Sequence, residues 1–344
     1  MNPIQRVKEA IEEIKKGNMV IMMDDEDREN EGDLVYASTF STPEHVNFMA
    51  THAKGLICVA ISNDIASRLE LNPMVSSNTS MHETAFTVSV DATEAITGIS
   101  TAERDMTIKI LANPVSRPTE LVKPGHIFPL IAKDGGTLIR IGHTEGSVDL
   151  CRLAGLSESA VICEIMKDDG TMARRDDLEV FAKKHEQKIV YISDIVEYRL
   201  ANESLIKSSS EEESEFFETK VKKHTFDDHE NIEHTAIVFH GVGESANIKV
   251  HNVMPDLELF SNQEKYQQLV KSIEYLKQNS GVLLFINKPE HNNATMKEYG
   301  IGAQILKSLC IKHMRLLTSM KATDFVALSG FGLEVAEVIN PLED

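Results

Sequence analysis

Four apolar residues, Val20-Ile21-Met22-Met23, run directly into a stretch from Asp24 to Asp33 in which seven of ten side chains are acidic and one is arginine. A short apolar strand that hands the chain to a charged loop is where α/β folds commonly place their sites. Carboxylates crowded this closely repel one another unless something positive sits among them. Hard oxygen ligands of this kind favour Mg²⁺ or Mn²⁺. The spacing is not that of an EF-hand, which needs ligands at alternate positions over a longer loop with its own glycine. A solvated acidic loop is the competing reading. Glu26, Asp27 and Glu31 either hold metal-bound water or face solvent.

The surrounding pattern sets the fold class. Ile4, Val7, Ile11 and Ile14 recur at helical spacing, and Lys15-Lys16-Gly17 suits the end of that helix. Residues 43–52 read as a helix with Thr42 as N-cap. Leu56–Ile61 reads as a buried strand, and Phe86–Val90 alternates like a half-exposed one. Strands alternating with helices predict an α/β (α+β layered) domain, a mixed sheet flanked by helices. At 344 residues the chain has room for a second, smaller α/β domain. The serine- and glutamate-rich run ESLIKSSSEEESE offers little to bury, so 203–216 is expected to be a linker between domains at 1–202 and 217–344.

Charge narrows the partners. With 35 Lys+Arg against 54 Asp+Glu, the formal net charge of -19 argues against nucleic acid and anionic membrane surfaces. No apolar run is long enough to cross a bilayer, and the first residues lack the apolar core of a signal peptide. The four cysteines are widely spaced, which fits a reduced, cytoplasmic setting.

Three further segments carry chemistry. Arg140-Ile141-Gly142-His143-Thr144-Glu145-Gly146 sets a cation just ahead of an imidazole, a hydroxyl and a carboxylate that lie between two glycines. Arginine clamps phosphate bidentately and threonine adds a neutral hydrogen bond; a polar turn with a surface histidine is the alternative. Pro124-Gly125-His126-Ile127-Phe128-Pro129-Leu130 sets His126 in a stiff frame. Glu164 follows Val161-Ile162-Cys163, at the end of an expected strand. Cys58 reads as a small buried hydrophobe, with a pocket-lining role as the alternative. His45 and His52 read as ordinary helix residues.

These segments together closely resemble the 3,4-dihydroxy-2-butanone 4-phosphate synthases of riboflavin biosynthesis. The likeness spans roughly residues 1–200 and lies in DDEDRENEGD (24–33), GLIC (55–58), TGIS (97–100), PGHIFPL (124–130), RIGHTEGSVDL (140–150), LAG (153–155) and CE (163–164). It implies a lyase that converts D-ribulose 5-phosphate to L-3,4-dihydroxy-2-butanone 4-phosphate and formate. It further implies two Mg²⁺ or Mn²⁺ ions per site, no organic cofactor, and a homodimer with active sites near the subunit interface. On the same footing Glu29 and His143 are the metal ligands, and Arg28, Asp33, Arg140, Gly142, Thr144 and Glu164 bind substrate alongside them. Arg140 and Thr144 hold the phosphate, and His126 and Glu164 are the catalytic acid/base groups.

The second half resembles the last part of GTP cyclohydrolase II in KEYGIGAQIL (297–306), RLLT (315–318) and GFGLEV (330–335). Gly241-Val242-Gly243-Glu244-Ser245-Ala246 imitates a dinucleotide fingerprint, but a strand rather than a helix is expected to follow, so it reads as a hairpin turn. The resemblance implies a zinc ion held by three close cysteines, whereas this half contains only Cys310, placed in a helix, and only Arg315 among its arginines. No zinc is expected, and the domain reads as inactive toward GTP. Two alternatives stand beside this. In one, His224, His229, His234, His240 or His251 rebuild a metal site and the chain is bifunctional; in the other it is a non-catalytic scaffold.

Overall fold

Period-two alternation along single strands gives the first domain its layers. Val20 and Met22 face one core with Val35, Ala37, Cys58, Ala160 and Ile162. Ile21 and Met23 face the other with Leu34, Tyr36, Val59, Ile61, Val161 and Cys163. A sheet apolar on both faces must be covered on both. The computed structural model describes residues 2–25, 28–80, 82, 84–203, 206–228, 231–287, 296–319 and 333–342. Glu26, Asp27, His229 and the first part of GFGLEV lie outside the described residues. Among the described residues no helix is long and apolar enough to cross a membrane.

The chain divides into two units, residues 1–198 and 199–344. The first opens with α1 (Pro3–Lys15), β1 (Val20–Met23), β2 (Gly32–Ala37), α2 (Pro43–Phe48), β3 (Cys58–Ile61), α3 (Asn63–Arg68) and β4 (Val90–Ala92). It continues with α4 (Thr101–Ala112), β5 (Leu121–Ile131), α5 (His143–Leu153), β6 (Ser159–Glu164), α6 (Arg175–His185), β7 (Lys188–Tyr191) and α7 (Ile192–Asn202), the last crossing the seam. The strands form one mixed sheet, β4-β5-β3-β6-β2-β1-β7. Helices α1, α5 and α7 supply one core, and α2, α3, α4 and α6 the other. Thr42 caps α2, its hydroxyl accepting from the His45 N–H. The expected strand at Phe86–Val90 is shorter: Phe86 and Thr87 make isolated bridges, and regular pairing begins at Val90.

The second unit comprises β8 (Ile206–Phe216), β9 (Thr219–Asp228), β10 (Glu233–Phe239), β11 (Ser245–Asn252), α8 (Asp256–Ser261), α9 (Gln263–Gln278), β12 (Gly281–Ile286), α10 (Met296–Ser308), β13 (His313–Leu317) and β14 (Glu334–Ile339). Its sheet order is β14-β13-β11-β12-β10-β9-β8.

Three expectations are corrected here. Most of 203–216 is not a linker, because β8 is an edge strand paired with β9. Its glutamates do not face one another: Glu212 lies opposite Lys223, Glu213 opposite Lys222 and Glu215 opposite Lys220. Opposite charges across a strand pair stabilise what self-repulsion would have opened. The glycine-rich segment after β10 is not a hairpin turn, since β12 lies between β10 and β11 and pairs with both. Cys310 is not inside a helix; it follows α10 with a left-handed φ of 63°.

Candidate active site

The acidic loop is folded around its first residue. Asp24 is 2% exposed at the end of β1. Its Oδ2 accepts from the Glu29 N–H at 3.0 Å and from Arg28 Nη1 at 2.9 Å, and its Oδ1 accepts from the Glu31 N–H at 2.8 Å. Arg28 Nη1 also donates to Glu29 Oε2 at 2.8 Å. The loop's own arginine thus places positive charge among its carboxylates.

Sheet register brings the remaining carboxylates alongside. Met22 pairs with Asp33 between β1 and β2, and Asp33 pairs with Glu164 between β2 and β6. The Glu164 carboxylate accepts from the Leu56 N–H at 2.8 Å. Gly55 packs so tightly there that a Cβ would overlap Glu164. Helix α5 then inserts His143 from its first position. His143 Nδ1 lies 3.6 Å from Glu29 Oε2, and Nε2 lies 3.9 Å from Asp33 Oδ1.

Burial and charge set the protonation of this group. The His143 contact, with help from Arg28, holds the Glu29 carboxyl down to about 2 against the opposing effect of burial. Burial drives the Asp33 carboxyl upward, and neighbouring Glu164, Glu29 and Glu31 add to it. Burial pulls His143 down, but Asp33, Glu29 and Asp24 outweigh it and raise the imidazole to about 9.

The donor set fits a divalent cation. Asp24, Glu29 and His143 each offer a ligand atom within 4.8 Å of the others. Asp33 Oδ1 and His143 Nε2 are buried with no hydrogen-bond partner among the described residues. Both Asp24 oxygens are engaged in shaping the loop, whereas His143 Nε2, once it loses its proton, has a lone pair with no hydrogen-bond partner among the described residues, and Glu29 Oε1 is clear of Arg28. Carboxylate oxygen with one imidazole suits Mg²⁺ or Mn²⁺.

Arg140 lies beside this cluster. Its Nη1 donates to Glu145 Oε2 at 2.5 Å and its Nη2 to the His82 carbonyl at 2.9 Å. His82 Nδ1 is in turn 3.9 Å from Glu29 Oε1. A Cβ at Gly142 would overlap both Arg140 Nη1 and Glu145 Oε2, so any larger residue there would displace the ion pair from this position. Thr144 is buried in the first turn of α5.

His126 has different neighbours. Its N–H donates to Asp91 Oδ1 at 2.8 Å, and its Nδ1 lies 2.7 Å from Asp91 Oδ2. Register puts it away from the cluster. Phe128 pairs with Cys58 and Cys58 with Ile162, so His126 is level with Leu56 and Glu164. At roughly 4.8 Å per strand, the β5 backbone that carries His126 lies about 10 Å from the β6 backbone of Glu164 and about 14 Å from the β2 backbone of Asp33.

Residues 8–198 match the family of 3,4-dihydroxy-2-butanone 4-phosphate synthase. A synthase of that name from Sulfurospirillum multivorans is 58% identical over 337 residues, covering 98% of this chain and 95% of its own. The chain belongs to the 3,4-dihydroxy-2-butanone 4-phosphate synthase family.

These synthases are lyases of riboflavin biosynthesis, and the second unit has relatives in the same pathway. Residues 287–340 match GTP cyclohydrolase II. The riboflavin biosynthesis protein RibBA of Bacillus velezensis is 41% identical over 373 aligned residues, covering 98% of this chain and 93% of its own. RibBX, a two-domain synthase from A. baumannii, superposes with a TM-score of 0.80 at 40% identity over 97% of this chain and 99% of that one. A synthase solved in complex with two magnesium ions superposes with a TM-score of 0.55 at 38% identity over 57% of this chain and 97% of that one.

Of the residues singled out in the synthase sequence, Arg28, Glu29, Asp33, His143 and Glu164 converge, with Gly142 and Thr144 in the adjoining turn. Arg140 is tied to Glu145 and to a backbone carbonyl. Cys58 is buried among Leu130, Ala160 and Ile162 as an apolar residue. His45 and His52 pack against Tyr36 and Phe48. In the sequence Glu145 stood out only as the carboxylate of its segment, without a partner, and Asp91 did not stand out at all. An opposite charge five residues from Arg140 was a usable signal for Glu145, whereas nothing local connects Asp91 to His126.

The described histidines of the second unit do not gather. His224 Nδ1 lies 3.8 Å from Glu211, His234 Nδ1 accepts from the Asn287 N–H, His240 meets the Lys277 carbonyl, and His251 sits edge-on to Phe285. Among the described residues, three or more metal-type donors converge only at Asp24, Glu29 and His143.

Proposed function

We propose that this synthase converts D-ribulose 5-phosphate to L-3,4-dihydroxy-2-butanone 4-phosphate and formate at the Glu29–His143 cluster. The observation that carries the reading is the pair of unpartnered buried atoms, Asp33 Oδ1 and His143 Nε2, beside Glu29. Glu29 and His143 are the protein ligands for two Mg²⁺ or Mn²⁺ ions. Bound there, divalent metal supplies positive charge for the negative charge that develops on the substrate oxygens. No organic cofactor and no zinc take part in this reading.

The chain's own residues bind and move protons. The phosphate sits at the start of α5, whose first N–H groups have no partner within the helix, with the Thr144 hydroxyl and Arg140 completing the cradle. Arg140 releases the His82 carbonyl to do so, while Glu145 keeps the guanidinium in place. Arg28 and Asp33 orient the sugar hydroxyls. Glu164 and His126 serve as acid/base groups for the removal and return of protons next to the carbonyl.

The separation of His126 from Asp33 favours a homodimer in which one subunit's His126 serves its partner's cluster. Inactive Glu29→Ala and His126→Ala chains, unfolded and refolded together, would then recover part of the wild-type turnover. The second unit is inactive as a cyclohydrolase, supported by its single cysteine and by described histidines with separate partners. The decisive assay follows formate release by the full chain. Turnover of ribulose 5-phosphate with Mg²⁺, lost with chelator and in Glu29→Ala and His143→Ala, supports the site. Turnover that survives both substitutions excludes it. Formate release from GTP with zinc would make the chain bifunctional, and no turnover of either substrate would leave a scaffold.

A further inference from the structure

The pairing of β4 with β5 is interrupted where chemistry is expected. Val90 pairs with Ile127, but the next residue, Asp91, pairs with Val122. The residues of β5 between those two partners are left unpaired and bulge from the ladder, a device that re-aims side chains. Gly125 fills the tightest point, where a Cβ would overlap the Val90 and Asp91 backbone, and its N–H donates to Ser89 Oγ at 3.1 Å. The distortion turns His126 back onto Asp91, and both Asp91 oxygens are engaged by that one residue, backbone and ring.

We infer that Asp91 is the positioning residue of His126, fixing the ring so that Nε2 is the atom that exchanges protons. The inference rests on the acid/base role given above to His126. An ionised carboxylate only accepts hydrogen bonds, so Nδ1 carries the hydrogen and the neutral ring keeps its lone pair on Nε2. The Asp91 side chain is 10% exposed, whereas the His126 side chain is 44% exposed, so the carboxylate is enclosed and the ring reaches outward. A buried carboxylate behind an exposed imidazole holds its orientation and steadies the imidazolium once Nε2 has taken a proton.

The loop before α4 closes the back of the pair. Gly98, at φ +77°, lies where any Cβ would overlap Asp91 Oδ2 and His126 Nδ1. Glu103 holds that loop, its Oε1 accepting from the Ile96 and Thr97 N–H groups at 2.7 and 3.1 Å and its Oε2 from the Thr97 and Ser100 hydroxyls at 2.8 and 2.9 Å. Nδ1 of His126 therefore lies on the side of Asp91 and of a loop held at four points by Glu103.

The test uses the full chain. Asp91→Asn is expected to lower kcat by about 10²–10⁴-fold with KM changed less than about threefold, because an amide can donate to Nδ1 and stabilise the wrong tautomer. Asp91→Glu should recover part of the loss. In the His126→Asn background, Asp91→Asn should cost nothing more, since it acts only through the ring. Nitrogen-15 NMR of labelled histidines, with the His126 signal assigned by its disappearance in His126→Asn, should show hydrogen on Nδ1 in the neutral form; this reading needs no Asp91 variant to fold. Hydrogen on Nε2, wild-type kcat in a folded Asp91→Asn chain, or additive losses in the double variant would each overturn the inference. Undiminished turnover in His126→Asn would instead overturn the underlying role of His126.

Discussion

His143 Nε2 and Asp33 Oδ1 face each other across 3.9 Å, both buried and neither with a hydrogen-bond partner among the described residues. Leaving such groups unsatisfied costs on the order of 1–3 kcal/mol each, so their persistence calls for a third participant. A divalent ion meets that need, and it competes with the proton that the surrounding carboxylates hold on His143. With the imidazole raised to about 9, metal-free protein at neutral pH carries that proton. Mg²⁺ binding should therefore release protons, and apparent affinity should rise with pH by up to roughly tenfold per unit below about 9. Calorimetry in buffers of different ionisation enthalpy measures the release. Binding without proton release, or affinity flat between pH 6 and 8, would count against His143 as a ligand.

Gly142 gives a prediction about the phosphate end. Its φ of -117° suits any residue, so an added methyl group acts only through its overlap with Arg140 and Glu145. Gly142→Ala should displace the guanidinium and raise KM for ribulose 5-phosphate by about tenfold, the loss of roughly one charge-assisted hydrogen bond. Circular dichroism should remain that of the wild type. A KM left unchanged would show that Arg140 does not grip the phosphate.

What the sequence conveyed and what it hid follow the range of the forces involved. Strands β1 and β3 were legible because apolar runs report burial directly. The loop chemistry was legible because seven carboxylates in ten residues demand an explanation whatever the fold. Asp91 and His126 meet only because β4 and β5 pair irregularly, and no local pattern encodes that register. Strand β8 was hidden for the opposite reason: its glutamates were judged against one another, while the lysines that balance them arrive only when β9 folds back.

The misreading of β8 can be checked directly. If residues 206–216 were a linker, their amides would exchange with solvent as in an unfolded peptide. In the β8–β9 ladder, those bonded to β9 should be protected, while outward-facing edge amides exchange freely. Reversing Lys222 and Lys223 to glutamate should remove the cross-strand attraction and accelerate exchange throughout β8, more at low salt than at high salt. Hydrogen exchange with mass spectrometry resolves both effects. Uniformly fast exchange in the wild type would restore the linker.

Lys249 provides a pH prediction for the second unit. Its ammonium, 6% exposed on β11, donates to Gln268 Oε1 at 3.2 Å and to the Leu317 carbonyl at 3.3 Å. Two neutral acceptors do not replace water, and burial pushes the amine from 10.5 down to about 8. Between those values the unfolded chain holds the proton that the folded one has released, so stability should rise with pH across that window. Below about 8 the folded protein carries the full cost of a buried charge. The rise should reach about 3 kcal/mol at most. Lys249→Met keeps much of the aliphatic stem and removes the charge, so it should flatten the rise and stabilise the unit at neutral pH. Urea unfolding of both chains from pH 7 to 10.5, followed by circular dichroism, isolates this lysine from other titrating groups. If the difference between the two chains does not change with pH, the Lys249 ammonium is not held in the unfavourable environment described.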